Sequence, residues 1–308
     1  YNFNGIDFIH SSPYTNFWRA PIDNDYGNNL PVRSNEWKIA SNKRDFHKIE
    51  IERKSANEVQ VVVHYKLSNI NSLNKIAYTF NSKGVMNIKN DFTYGGNLKD
   101  AQMPRFGMNF TIPKNLENVT WYGRGPHENY IDRKSSAFVG IYESSIDDLG
   151  FEYSRPQENG YRTDVRWFNV LNEDNYGFAI SGDPLISFSA HYNTIEDFDD
   201  GLMPQKPGEN LGSRKRIVKK QRKPVDLVKR DFISLNIDLK QMGVGGDNSW
   251  GARTLKKYTI YPGNYSYQFT VKPISFWFKQ YYQQYCVNSL NDLFCLAKSR
   301  ESWIIEHY

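Results

Sequence analysis

The stretch Glu58-Val-Gln-Val-Val-Val-His-Tyr-Lys66 decides the fold of this chain. Its β-branched residues and its alternation of apolar and polar side chains are typical of a strand with one buried face. Polar turn residues lie on both sides of it, at Ser55-Ala-Asn57 and at Asn69–Ser72. The stretch therefore predicts one strand of a sheet that is punctuated by short turns.

The same pattern repeats over most of the chain and predicts an all-β fold. No segment before residue 273 combines 3.6-residue periodicity with helix caps, and residues 36–40 are compatible with a helical turn or a strand start. Short strands at regular spacing are typical of a sandwich. We predict a large antiparallel β-sandwich over residues 1–273, with little helix. The further predicted strands are Phe46–Arg53, Asn74–Asn81, Val85–Tyr94, Phe106–Ile112, Val119–Tyr122, Tyr176–Ser181, Leu185–His191, Phe232–Leu239 and Tyr265–Val271.

Composition sets limits on the class of protein. The 308 residues are 39% hydrophobic and 24% charged, which fits one large or two ordinary globular domains. Aromatic residues reach 15%, and they favour β structure and surfaces that contact carbohydrate or protein. No apolar run approaches the roughly 20 residues that a membrane span needs. Cys286 and Cys295 are the only cysteines and define neither a disulfide framework nor a metal site with histidine, so the compartment stays open.

One segment carries most of the positive charge. Residues 214–230 contain nine Lys or Arg and one acid, Asp226, whereas the whole chain has a net charge of +5. A basic run can bind nucleic acid. This one lies in a long polar connection, and we interpret it as a solvated surface excursion, with neither nucleic acid nor membrane as a partner.

A second stretch, Gln241-Met-Gly-Val-Gly-Gly-Asp-Asn-Ser-Trp250, predicts a functional loop. Its three glycines allow a sharp turn or a close approach of the backbone. Asp247-Asn248-Ser249 supply turn-forming side chains ahead of the tryptophan. A loop-borne indole beside hydrogen-bonding groups suits a sugar ring, which has an apolar face and a rim of hydroxyls. A core tryptophan beneath a tight turn is the alternative.

This stretch resembles the terminal signature of the β-galactosidases of glycoside hydrolase family two. Three more motifs resemble the same C-terminal domain in the same order. The resemblance covers residues 17–251 and implies a sandwich of the galactose-mutarotase-like supersandwich type. The three motifs are Phe17-Trp-Arg-Ala-Pro-Ile-Asp-Asn-Asp-Tyr-Gly27, Trp121-Tyr-Gly-Arg-Gly-Pro-His-Glu-Asn-Tyr-Ile-Asp-Arg133 and Arg155-Pro-Gln-Glu-Asn-Gly-Tyr-Arg162.

The resemblance implies that the reacting groups lie elsewhere. Retaining glycoside hydrolysis needs two carboxyl groups about 5 Å apart, and in the resembling enzymes both glutamates stand on a TIM barrel. No alternating β/α pattern with such glutamates occurs here. We therefore expect this chain to be inactive alone and to have the catalytic barrel, in the same chain or in a large subunit, as its partner. We expect no cofactor on this chain; a divalent cation, Mg²⁺ and possibly Ca²⁺, belongs to the absent barrel.

By the same resemblance, four residues contribute to the rim of the site. Trp250 matches the family's tryptophan that stacks on the incoming galactoside. Gly27 matches the start of a mobile loop at the rim, which predicts that Asn28 and Asn29 contact substrate. The Phe17–Gly27 motif itself is predicted to be mostly loop, with Asp23 and Asp25 as structural hydrogen-bonding groups, because the chain lacks the acids that a calcium loop would need at later positions.

Two other functions stay open at this point. His127, Glu128, Glu158 and His191 could supply the acid and base of an aldose 1-epimerase, although Gly125-Pro126 before His127 and the acidic and basic residues after it favour a tight structural corner. A non-catalytic carbohydrate-binding module is the third possibility.

The ends of the chain depart from the resembling domain. Residues 1–9 predict one weak strand, and the sequence begins at Tyr1, so we expect the domain to be truncated at its N-terminal side and to expose an unpaired edge. Residues 274–308 form an aromatic tail of uncertain origin, beyond the point at which family members usually end.

Overall fold

The computed structural model describes residues 2–3, 6–7, 9–98, 101–199, 223–245, 248 and 251–274. Strands dominate this part of the chain, and all their pairings are antiparallel. The predicted all-β class is confirmed. The described strands are β1 (Asn2–Phe3), β2 (Ile6–Asp7), β3 (Tyr14–Asn16), β4 (Asp45–Ser55), β5 (Glu58–Leu67), β6 (Ser72–Asn81), β7 (Met86–Thr93), β8 (Arg105–Pro113), β9 (Asn118–Gly125), β10 (Phe138–Ser145), β11 (Arg162–Leu171), β12 (Gly177–His191), β13 (Phe232–Gln241) and β14 (Tyr265–Ile274).

Helices are few and short. Among the described residues they are α1 (Asp23–Gly27), α2 (Leu30–Arg33), α3 (Asn35–Asn42), α4 (Ile146–Leu149) and α5 (Ile195–Phe198), with single turns of 3₁₀-helix elsewhere. The helix α1 corrects the expectation that Phe17–Gly27 is mostly loop, and α3 decides residues 36–40, for which a helical turn and a strand start were both open, in favour of helix. Trp37, Ala40 and Ser41 of α3 are spaced to share one helical face, and all three are buried. Packing against the sheet therefore makes this segment helical despite its weak helix propensity.

The long strand β12 organises the sheet. On one side it pairs along most of its length with β11, which continues to β9 and β10. On the other side its first half pairs with β14 and its second half with β13. Two arms thus diverge from β12: β14-β7-β6-β5-β4 and β13-β8-β3.

The two arms pack face to face and enclose the core. Phe17, Phe92 and Phe106 form a ring cluster with centroids 4.9 to 6.0 Å apart. Tyr267 of β14 packs on Phe106 of β8 and donates a hydrogen bond of 2.6 Å to the carbonyl of Ile237 in β13. Apolar burial between two sheets is the main stabilising term of a sandwich.

The sequence missed some elements. β10 and β11 were not predicted, and the two strands predicted over Tyr176–Ser181 and Leu185–His191 are one continuous strand, β12. The N-terminal strand is a two-strand pairing of β1 with β2. The boundary predicted at residue 273 remains a prediction, because residues 275–308 lie outside the described residues.

Only the end of the basic segment lies within the described residues. Lys229 pairs with Asp147 at 2.7 Å and Arg230 pairs with Asp197 at 2.6 Å. Both ion pairs lie at the surface. None of the helices in the described part of the chain is long and apolar enough to cross a membrane.

Candidate functional site

The end of the signature meets the end of the first motif. Gly251, which follows Trp250, has a φ of +89°, and a Cβ placed there would lie 2.3 Å from the carbonyl carbon of Gly27 and 2.7 Å from the backbone nitrogen of Asn28. Only a glycine fits this left-handed conformation and this approach. Two segments 224 residues apart therefore meet where sequence analysis placed the rim. Trp250 itself lies outside the described residues, as do Gly246, Asp247 and Ser249.

Asp132 of the second motif holds the glycine-rich stretch. Its carboxylate accepts hydrogen bonds from the backbone N–H of Val244, at 3.1 Å, and of Gly245, at 2.6 Å. A Cβ on Gly243 would lie 2.5 Å from the same carboxylate. The missing side chain is what lets the carboxylate approach this backbone.

Arg19 of the first motif also binds the backbone of the glycine-rich stretch. Its guanidinium donates to the carbonyl of Met242 at 2.8 Å and to that of Gly243 at 3.1 Å. Asp25 pairs with it through both oxygens, at 2.9 to 3.2 Å, and both side chains are buried. Asp25 is thus a structural hydrogen-bonding group, as predicted. Asp23 is exposed and contacts Arg155 at 3.3 Å.

The predicted rim loop has an ordered local structure. Gly27 is the last residue of α1, and the N–H of Asn28 donates to the carbonyl of Asn24 at 2.9 Å. The Asn28 side chain accepts from Arg33 at 2.9 Å. Asn29 is exposed, with a φ of +63°, and Leu30 begins α2 with its side chain fully buried. The contacts of Gly27, Asn28 and Asn29 with substrate remain predictions.

A cleft of about 600 Å³ opens beside this rim. Four chain segments form it, and each of them includes residues of a resembling motif or of the signature. Its lining contains two carboxylates, one guanidinium, several amides and two phenols. The lining residues are Ile22, Asp23, Asn24, Tyr130, Arg133, Tyr153, Gln157, Glu158, Val244, Gly245 and Asn248.

A buried charge cluster lies under the cleft. Arg105 of β8 contacts Glu158 at 2.9 Å and Asp238 of β13 at 3.1 Å, and it also donates to the side-chain oxygen of Gln241. Burial raises the pKa of Asp238 to about 7 and also raises that of Glu158, while Arg105 acts against both shifts. Burial alone would lower the pKa of Arg105, but the two carboxylates raise it. The cluster fixes Glu158 at the cleft.

Two of the residues proposed for an epimerase are structural. Glu128 accepts from the Tyr153 hydroxyl and, at 2.7 Å, from the N–H of Gly160. His127 is exposed and lies 3.1 Å from the Ser136 hydroxyl. The pair therefore holds a corner of the chain, in agreement with the structural interpretation.

The other two, His191 and Glu158, share only a small cavity. His191 donates from Nε2 to the carbonyl of Asn159 at 3.0 Å, and burial lowers its pKa to about 4. The cavity that it lines with Glu158 measures about 10 Å³. That is room for about one water molecule, so no sugar fits between this base and this acid.

Potential metal ligands do not cluster in the described part of the chain. Within it, no group of three or more His, Cys, Asp or Glu side chains converges to hold an ion. The resemblance places the divalent cation on the absent barrel, and that placement stays a prediction.

Sequence reasoning missed the residues that build the floor of the cleft. Arg105 and Asp238 are charged residues next to the apolar positions Phe106 and Ile237 of strands that lie in the core, and both are buried. That anomaly was the available signal. Tyr130 gave none, because a tyrosine in a turn is as often exposed as buried.

Comparison with known proteins identifies the family. The family model described as β-galactosidase small chain matches residues 1–271. The β-galactosidase of Priestia megaterium is 34% identical over 275 residues, which cover 89% of this chain and 24% of that protein. The β-galactosidase of Halalkalibacterium halodurans is 29% identical over 261 residues, which cover 83% of this chain and 24% of that protein.

Solved structures show distant likeness. An aldose epimerase homologue from C. elegans has a TM-score of 0.36 and 10% identity over 74% of this chain and 69% of that chain. The α-galactosidase AgaA of Geobacillus stearothermophilus has a TM-score of 0.37 and 8% identity over 76% of this chain and 28% of that chain.

The family model and the two β-galactosidase relatives confirm the family that the four motifs indicated. The chain belongs to the β-galactosidase small chain family. It spans about a quarter of the length of the curated relatives that it matches.

Proposed function

We propose that this chain serves as the C-terminal domain or small subunit of a retaining β-galactosidase, which removes terminal non-reducing β-D-galactose from galactosides such as lactose. Its contribution is to complete the rim of the active site. The observation that carries the proposal is the contact of Gly251 with Gly27 and Asn28. This contact brings together the two motif ends that the resemblance assigns to substrate binding.

The catalytic glutamates belong to the partner, which is the barrel-containing portion of the enzyme. A divalent cation, Mg²⁺ or Ca²⁺, is assigned to that portion too. The described carboxylates of this chain support the division of labour, because Glu158, Asp238 and Asp25 are each held in an ion pair with an arginine. A carboxylate held in this way is a poor nucleophile for a sugar carbon.

A chimera tests the proposal. The chain would replace the matched quarter of the Priestia megaterium β-galactosidase, and release of nitrophenol from nitrophenyl β-galactoside would be measured. We expect the chimera to hydrolyse the substrate, and both the isolated chain and the Priestia protein without its matched quarter to be inactive. Hydrolysis by the isolated chain would overturn the proposal.

Trp250 provides a sharper test within the active chimera. We expect Trp250→Ala to raise KM for lactose about tenfold or more, a loss of roughly 1–3 kcal/mol, because a stacking surface is removed. Phe or Tyr at this position should recover part of the loss, since each retains an apolar face. An unchanged KM in Trp250→Ala would mean that this side chain belongs to the core.

A further inference from the structure

The cleft beside the rim has the size and the construction of a binding site. Its volume of about 600 Å³ lies within the range of roughly 300–1,000 Å³ that is typical of small-molecule sites. Its walls come from residues 22–24, 130–133 and 153–158 and from Val244, Gly245 and Asn248. The Arg105 cluster and the Asp132 contacts fix three of these segments from behind.

Charges in the cleft favour a neutral ligand. Glu158 is paired with Arg105, and Asp23 is paired with Arg155. Arg133 is exposed at the cleft, and no ion pair of its side chain is found among the described residues. Asp238 is a second carboxylate on Arg105, so the formal charges of these three acids and three arginines cancel, and neither an anion nor a cation is favoured. A neutral polyol can instead use carboxylates as acceptors and the guanidinium as a donor.

One buried hydroxyl in the cleft has no protein partner. Tyr130 is only 2% exposed, it lines the cleft, and its Oη has no hydrogen-bond partner among the described residues. An unpaired buried hydroxyl is costly. The Tyr130 ring stacks on Tyr161 at 5.6 Å between centroids with an interplanar angle of 12°, so the hydroxyl is held in place before any ligand arrives.

Side-chain amides complete the polar lining of the cleft. Two of them also lie close in sequence to the residues predicted to form the rim. Asn24 and Gln157 line the cleft with side chains that can both donate and accept. Asn24 is three residues before Gly27, and Asn248, which also lines the cleft, is two residues before Trp250. A ligand in the cleft would therefore lie next to the segment that carries the predicted sugar-stacking residue.

We propose that the cleft lined by Tyr130, Arg133, Gln157 and Glu158 is an outer subsite for a neutral sugar unit, distinct from the stack on Trp250. It would hold a sugar of the substrate or acceptor that extends beyond the galactose. The identification of this sugar as part of the substrate or acceptor rests on the proposed function. Binding of a neutral sugar to the cleft can be measured on the chain itself.

The test measures binding of lactose to the purified chain by saturation-transfer NMR, which detects weak complexes. Tyr130→Phe removes only the unpaired hydroxyl. We expect it to weaken lactose binding about three- to tenfold, which corresponds to the loss of one hydrogen bond, and to leave the thermal midpoint unchanged or slightly higher. Tyr122→Phe is the matched control, because Tyr122 does not line the cleft, and it should bind lactose like the wild type.

Several outcomes would overturn the subsite. Equal lactose affinity in Tyr130→Phe and wild type would do so, as would the absence of any lactose signal with the wild type. Tighter binding of galacturonate than of galactose would show that the cleft takes anions. Loss of all lactose binding in Trp250→Ala, with Tyr130→Phe unaffected, would assign the signal to the indole alone. Because these measurements use the isolated chain, an inactive chimera would count against the proposed function and not against the subsite.

Discussion

One end of the β8–β13 pair and the outer edge of the β4–β5 pair both depart from the usual arrangement, in which charged residues are exposed and apolar residues are buried. At this end of the β8–β13 pair, Arg105 and Asp238 are charged and fully buried. At the edge, Ile51 is apolar and 71% exposed. β4 is an 11-residue strand that pairs only with β5 in the described sheet. The difference shows that the buried charges hold Glu158 at a cleft, whereas the edge is an apolar sheet face without a cover among the described residues.

The largest effect expected from this comparison concerns the buried charges. Arg105→Met should lower the free energy of unfolding by about 3–5 kcal/mol, because it leaves Asp238 and Glu158 buried without their cation. Lys48→Met, which breaks an exposed ion pair with Glu50 of 2.5 Å, should change it by less than about 1 kcal/mol. Urea unfolding of the two variants and the wild type measures both.

A second variant keeps this prediction testable if Arg105→Met does not fold. Arg105→Met combined with Asp238→Asn and Glu158→Gln removes the charges on both sides, and it should recover part of the lost stability. A loss of less than about 1 kcal/mol in Arg105→Met alone would mean that water reaches the charge cluster.

The next effect concerns pH. Burial holds the folded pKa of His191 at about 4, below the value of about 6.5 expected in the unfolded chain. As pH falls from 6.5 towards 4, the unfolded chain takes up a proton at this position while the folded chain does not, so the fold loses stability. A shift of this size corresponds to about 3 kcal/mol at pH 4.

His191→Gln isolates this contribution. Glutamine can still donate to the carbonyl of Asn159 but does not titrate, and the other buried groups affect both proteins alike. The stability of the wild type relative to His191→Gln should therefore fall by about 3 kcal/mol between pH 7 and pH 4. A difference that is independent of pH would show that His191 is not shielded from solvent.

The same contrast explains what the sequence could predict. The alternation over Glu58–Lys66 predicted β5 because successive side chains of a strand point to opposite faces of the sheet, so a strand with one buried face alternates apolar and polar residues. β11 (Arg162–Leu171) was missed because charged and polar residues interrupt its apolar positions. The helix α3 was left undecided between a helical turn and a strand start, because its burial against the sheet, not its propensity, makes it helical.

The candidate site was predictable only in part. The two motif ends at Gly27 and Gly251 were found because the stretches that contain them resemble motifs of a known family. The partners of Arg105 lie 53 and 133 positions away, and no local pattern links residues at such separations. The cleft depends on these long-range pairings, so it became visible only in three dimensions.

The smallest effect uses two isoleucines in one cross-strand row. Ile51, Val61, Tyr78 and Ile88 are opposite one another on β4, β5, β6 and β7, and exposure falls from 71% at Ile51 to 0% at Ile88. Ile88→Thr should cost about 2–4 kcal/mol, because it removes buried apolar volume and buries a hydroxyl. Ile51→Thr keeps the β-branched shape at a site with little burial to lose, and it should change stability by less than about 0.5 kcal/mol. If Ile51→Thr proves as costly as Ile88→Thr, the edge is covered in solution. A dependence of that cost on protein concentration would identify a second copy of the chain as the cover, and its absence would place the cover within the same chain.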